Sequence, residues 1–146
     1  MFSKKKMIAS AVLAVLIIGA ILIYFGAPGG ERPVRFNEVK ENQIPTDITA
    51  DVIPEYKIFE RALACRVGDD IYVLVTRGEK PSSGFDVSVD KMTVEETDGK
   101  KNLIVYALFE DPQKETAISQ ILTYPLCIVK TDLTTLPDTI ELRIKY

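Results

Sequence analysis

Apolar positions along this chain follow three different periods. Met7 to Ala27, MIASAVLAVLIIGAILIYFGA, is a run of 21 residues without a charge. As a helix rising 1.5 Å per residue it would reach about 31 Å, the thickness of a bilayer's hydrocarbon core. Further on, Ile48, Val52, Tyr56, Phe59 and Leu63 recur every three or four positions and mark one face of a helix. Pro54 falls inside that pattern, so the expectation is a short turn, capped by Thr46 or Asp47, and then one helix over 54–64 with Pro54 in its first turn.

Beyond Cys65 the period is that of strands. Ile71 to Val75 and Leu103 to Phe109 are continuous apolar runs rich in β-branched and aromatic residues, which reads as strands buried on both faces. Phe85, Val87 and Val89 share one parity while Met92 and Val94 share the other, so a bulge near Asp90-Lys91 is needed to keep both sets inward. Asp98-Gly99 marks a tight hairpin turn. Val34 to Val39 alternates as a strand, Leu126 to Val129 is a short buried run, and Ile140, Leu142, Ile144 and Tyr146 alternate with Glu141, Arg143 and Lys145. That last strand has one wet face, so the sheet ends or is open there. The expected fold is α+β and β-rich: a mainly antiparallel sheet or sandwich domain with one packed helix, behind a single N-terminal transmembrane helix.

The flanks of the first apolar run set the expected topology. A cleaved secretory signal has a shorter apolar stretch and small residues at its cut site, whereas this run is long, and a cut after Ala27 would set Phe25 three positions back and Pro28 just after. An uncleaved signal anchor is therefore preferred to a cleaved signal or a core helix. Lys4, Lys5 and Lys6 precede it and favour the cytoplasmic side. The expected organisation is a basic cytoplasmic end at 1–6, a single membrane span at 7–27, a linker at 28–32 and an extracytoplasmic domain at 33–146.

Charge removes one class of partner. Three of the 18 basic residues and none of the 21 acidic ones lie before residue 28, leaving 15 against 21 beyond it, a net −6. Nucleic-acid binding rests on neutralising phosphates with Lys and Arg, so this balance disfavours it. The same charge is ordinary for a soluble acidic surface.

Candidate chemistry concentrates in Gly78-Glu79-Lys80-Pro81-Ser82-Ser83-Gly84-Phe85, where turn formers abut an alternating strand. A phosphate cradle would need a Lys after the second glycine and a helix next, and here neither follows. Ser82 and Ser83 are candidate nucleophiles only with a base, and the chain has no histidine. A structural zinc site lacks ligands, because only Cys65 and Cys127 carry thiols. Asp69-Asp70, Glu95-Glu96-Thr97-Asp98 and Glu110-Asp111 lack the spacing of a calcium loop and read as solvated turns. The paired carboxylates of glycoside chemistry would need an aromatic sugar cleft, and tryptophan is absent. No cofactor, metal site, small-molecule substrate or catalytic constellation is expected. Cys65 and Cys127 either bridge, which an extracytoplasmic setting permits, or pack as small hydrophobes within their apolar surroundings.

The 78–85 motif, the buried strand at 103–109 and Thr123-Tyr124-Pro125-Leu126 together resemble the C-terminal domain of the PrcB family over roughly Arg66 to Lys130. The bacterial family pattern is similar to Gly-x-Lys-Pro-Thr-Gly-Gly-Tyr at the first place, with Ser82-Ser83 here for Thr-Gly and Phe85 for Tyr. The resemblance implies an accessory, non-catalytic subunit of a surface protease complex, not an enzyme, although the family's lipid anchor is replaced here by an apolar helix. The same loop is similar, by one motif only, to chagasin-like cysteine-protease inhibitors.

Three functions are thereby in view: a membrane-anchored extracytoplasmic module that binds or stabilises a surface protease, an extracellular protease inhibitor, or a structural or sensory domain of the cell envelope. Pro81 fixes its own φ and Gly84 supplies φ > 0, which would hold the loop in one shape before a partner arrives. The expected partner-binding residues are Lys80, Pro81, Ser82, Ser83, Gly84 and Phe85. The alternative for the same residues is a hairpin turn that only aligns two strands.

Overall fold

A computed structural model of the chain describes residues 30–146. The expected membrane span at 7–27 and its basic flank lie outside the described residues. Among the described residues no helix is long and apolar enough to cross a membrane. Residues Glu31–Tyr146 form one compact unit.

Among the described residues, eight strands make two four-stranded sheets. β1 (Glu31–Val34), β5 (Asp86–Thr97), β6 (Lys100–Glu110) and β8 (Thr139–Lys145) form one, in the order β1-β5-β6-β8. β2 (Phe36–Glu38), β7 (Leu126–Thr131), β4 (Asp70–Arg77) and β3 (Glu60–Val67) form the other, in the order β2-β7-β4-β3. All pairings are antiparallel except β6 with β8, which run parallel.

The sheets pack face to face over Val73, Val75, Cys127 and Val129 from one side and Val87, Met92, Leu103, Val105 and Phe109 from the other. A second layer covers the outer face of the β2-β7-β4-β3 sheet, where Ile48, Val52 and Ile53 lie on Tyr72, Leu74 and Ile128. β4 is therefore buried on both faces, which is why its sequence shows a continuous apolar run rather than an alternation.

Several local expectations hold in detail. The register of β5 against β6 shifts between Val89 and Lys91, placing Val87, Met92 and Val94 in the core. Asp98 and Gly99, both at positive φ (52° and 76°), turn β5 into β6. β8 is an edge strand whose residues alternate between half-buried and exposed.

The helix differs from its expectation. A π-helical turn (Ile48–Val52) runs into a four-residue α-helix, α1 (Ile53–Tyr56), with Pro54 in its first turn. Neither Thr46 nor Asp47 caps it with its side chain. Residues 60–64, expected to be helical, belong to β3, which pairs with β4 from Glu60↔Arg77 to Val67↔Asp70. The physical reason is that Leu63 does face the same layer as Ile48 and Val52, but from the outer face of a strand, while Ala62 and Ala64 face the sandwich core.

The N-terminal strand also divides. Val34 stays in the first sheet, and Phe36 begins pairing with Thr131 in the second, so the chain changes sheets at Arg35. There Arg35 N donates to Asp132 Oδ1 (3.2 Å) and Asp132 N donates to Arg35 O (3.0 Å). Glu31 and Arg32, read as linker, pair with Glu95 and Val94. Pro33 is tolerated because β1 is an edge strand, where one face of the backbone needs no partner.

Cys65 and Cys127 are free. Cys127 points into the sandwich core and Cys65 into the helical layer, so the sheet itself separates them.

Candidate functional site

The topology brings three segments to one end of the sandwich. The 78–85 loop carries the chain from the end of β4 to the start of β5, and residues 111–125 carry it back from the end of β6 to the start of β7. Both are crossovers between sheets, and they lie side by side because Thr76 pairs with Leu126 and Asp86 with Glu110. Residues 57–59, which lead into β3 opposite Arg77, complete the end. A connection as long as 111–125 without a strand or helix of its own is unusual inside a compact domain, and such loops commonly carry function.

The two crossovers are joined to each other. Lys80 and Thr123 exchange backbone hydrogen bonds of 2.9 and 3.0 Å, a one-residue antiparallel bridge. Thr123 Oγ1 donates to Ser82 O (2.7 Å), and the Tyr124 hydroxyl donates to Glu79 Oε2 (2.8 Å). The Glu79 carboxylate accepting that proton holds the Tyr124 hydroxyl above the ordinary phenol pKa. On the far side, Ser83 N donates to Ser119 O (2.9 Å) and Ser119 N donates to Ser83 Oγ (2.7 Å). Thus the 78–85 motif and Thr123-Tyr124, which lie some forty residues apart in sequence, form one surface.

The six residues expected to meet a partner are placed differently from one another. Pro81 is exposed at the tip, and Lys80 is half-buried with its ammonium 5.6 Å from the centre of the Phe85 ring. Ser82 is buried at 5% exposure, with its hydroxyl donating to Ser83 O, so its side chain supports the loop from within. Ser83 is half-buried, with its amide donating to Ser119 O and its hydroxyl oxygen accepting from Ser119 N. Gly84 has φ +94°, and a Cβ there would lie 2.7 Å from Pro112 Cβ, so glycine is required both by conformation and by space. Phe85 is half-buried against the Arg77 guanidinium, 5.1 Å from its ring centre.

Arg77 is the residue that sequence reasoning missed. It is 4% exposed, and its guanidinium lies between the rings of Phe85 and Phe109, at 5.1 and 5.0 Å. Nη1 donates to the carbonyls of Asp86 (3.3 Å) and Glu110 (2.7 Å), and Nη2 pairs with the Asp111 carboxylate. Nε is buried without a partner. Arg77 thus ties the end of β4 to the ends of β5 and β6 across the sandwich. An arginine closing an apolar run gives no sequence sign of burial.

A rim of apolar side chains surrounds the paired crossovers. Ile58, Phe59, Ile118, Ile121 and Leu122 are all exposed, with Ile121 at 59% and Leu122 at 60%. They flank a backbone that is already hydrogen-bonded, so a partner would meet apolar surface on a preformed frame. The one signal available in sequence was Ile118, Ile121 and Leu122 standing inside an otherwise polar loop. Among the described residues no group of acidic, Cys or His side chains is arranged to hold a metal ion.

Residues 71–132 match the model of a protein family described as PrcB C-terminal. The resemblance read from the two sequence motifs is thereby shown on these residues. The matched segment runs from β4 to β7 and contains both crossovers. No curated protein and no solved structure matches the chain.

Proposed function

We propose that this chain is a non-catalytic binding module, held at the outer face of the cell membrane by residues 7–27, that associates with or stabilises a cell-surface protease through its paired crossovers. The observation that carries the reading is the Lys80–Thr123 bridge, which rigidifies a loop bordered by exposed Ile118, Ile121 and Leu122. A surface fixed before contact loses little conformational entropy on binding, which is what an assembly subunit without chemistry of its own needs. The family description supports a protein partner of the protease-complex kind. Lys80, Pro81 and Phe85 supply side chains to the surface, while Ser82, Ser83 and Gly84 act through the backbone.

Photocrosslinking in the native membrane tests this directly. A photoreactive residue at Leu122 is expected to trap one protein, and Ile121→Asp is expected to abolish the adduct while the domain's melting temperature stays unchanged. An adduct that survives Ile121→Asp, or no adduct at all, would move the site elsewhere. Stoichiometric inhibition of purified proteases by the chain would replace the assembly role with the inhibitor role on the same loop. The tether has its own readout: external protease should digest 31–146 on intact cells and leave the N-terminus protected. Mature chain beginning at residues 26–30 and free in the medium would remove the anchor from the proposal.

A further inference from the structure

β8 has one open edge. It pairs with β6 on one side, and among the described residues no strand pairs with the other, although β3 approaches from the opposite sheet. An unpaired edge of seven residues is a template for another strand, and proteins usually blunt it with charge. Here the charges are Glu141, Arg143 and Lys145, on the exposed parity of the strand, while Ile140, Leu142 and Ile144 pack against the core.

The order of these residues is self-complementary. Laid antiparallel on a second copy with Leu142 facing Leu142, Ile140 faces Ile144, Glu141 faces Arg143, and Thr139 faces Lys145. Every apolar residue then meets an apolar one, and the acidic residue meets a basic one twice, once on each side of the two-fold axis. Shifting the register by two residues sets Glu141 against Glu141 in one direction and Arg143 against Arg143 in the other. A shift by one residue sets apolar against charged positions. One register alone is free of conflict.

From this we propose that β8 is a homodimer interface, in which two copies pair edge to edge about a two-fold axis at Leu142 and extend the β1-β5-β6-β8 sheet into one of eight strands. Such an interface is isologous, since the same patch serves both copies. Within one copy Arg143 Nε donates to Glu141 Oε1 at 2.8 Å and Nη1 to the Tyr106 hydroxyl at 2.9 Å, which holds both charges against the outer face of the sheet. Pairing would set them in an alternating square of two acids and two bases. The ends of the strand fit the same occupant. Tyr146 is 77% exposed and Leu136 45% exposed, and in this register Tyr146 falls opposite position 138 of the second copy, beside its Leu136-Pro137 turn. Both side chains would then be covered.

Site-directed crosslinking of the full chain in its membrane or in mild detergent reads the register. Leu142→Cys should form a disulfide-linked dimer on mild oxidation, because directly opposed residues in an antiparallel pair lie about 4.5–5.5 Å apart at Cα, within disulfide reach. Thr139→Cys should not exceed the background of the parent chain, since the two copies of position 139 would be about 20 Å apart along the strands. In parallel, Glu141→Arg should weaken dimerisation, measured by mass and light scattering, about tenfold or more. Glu141→Arg with Arg143→Glu should restore it. A monomer at all concentrations tested, equal crosslinking at 139 and 142, or a dimer indifferent to Glu141→Arg would each overturn the interface. Both positions 141 and 143 are exposed, so the charge variants report on pairing rather than on folding.

Discussion

Lys80 and Thr123 exchange both of their backbone hydrogen bonds, at 2.9 and 3.0 Å, and so join the two crossovers at one end of the sandwich. The Thr123 hydroxyl adds a third tie, to Ser82 O at 2.7 Å. Thr123→Val keeps the shape of the side chain and leaves that part-buried carbonyl without its donor. The expected loss is about 1 kcal/mol of stability, measured by urea denaturation. Hydrogen exchange should also show faster opening at the Lys80 amide, and unchanged exchange there would sever the hydroxyl from the loop's order.

Gly84 meets two requirements at once, a positive φ and the close approach of Pro112. Gly84→Ala is expected to cost about 1–3 kcal/mol from backbone strain alone, with the 2.7 Å clash adding to it. Ser83→Ala should cost about 1 kcal/mol, because the Ser119 amide loses an acceptor at an exposed site. Equal melting temperatures for Gly84→Ala and the parent would show that the loop has room to move.

Arg77 is buried with Asp86, Glu110 and Asp111 arranged around its guanidinium. Arg77→Ala removes the side-chain donor to two carbonyls and opens a void beside Phe85 and Phe109, so a loss of about 1–3 kcal/mol is expected. Arg77→Lys should recover only part of this, since an ammonium cannot span two carbonyls and a carboxylate in one plane or stack between two rings. Denaturant midpoints of the two variants check the order. If lysine serves as well as arginine, the fork geometry is irrelevant.

Burial pushes the Cys127 thiol up to about 11, from an ordinary value near 9. The folded state therefore holds its proton more tightly than the unfolded chain does. The resulting stability is present in full below pH 9 and is lost as pH rises through about 11. Thermal denaturation between pH 8 and 11 should show this decline, and Cys127→Ala should flatten it. Alkylation of Cys127 at pH 8 is expected to follow global unfolding, while rapid labelling of the native domain would contradict its place in the core.

Local chemistry alone determined a good part of the molecule. Asp98-Gly99 had to turn because two adjacent positive φ values suit few other pairs, and the parity change between Val89 and Met92 required a bulge whatever the fold around it. The β4 run declared a strand covered on both sides before the covering layers were known. The 78–85 motif and Thr123-Tyr124 were legible as two separate signals, and the resemblance over residues 71–132 could be read from them. Their contact was not, because a one-residue bridge between loops forty positions apart has no periodicity. Helix and strand cannot be told apart at Leu63 for a related reason: β3 is half-covered on both faces, so its own alternation is masked, and the helical spacing runs on into it by coincidence. Only the tertiary structure decided that Arg77 is inside and that Cys65 and Cys127 lie on opposite faces of one sheet. Burial of a charge or the face of a thiol depends on which strands become neighbours, and that is a property of the packed sandwich, not of any stretch of chain.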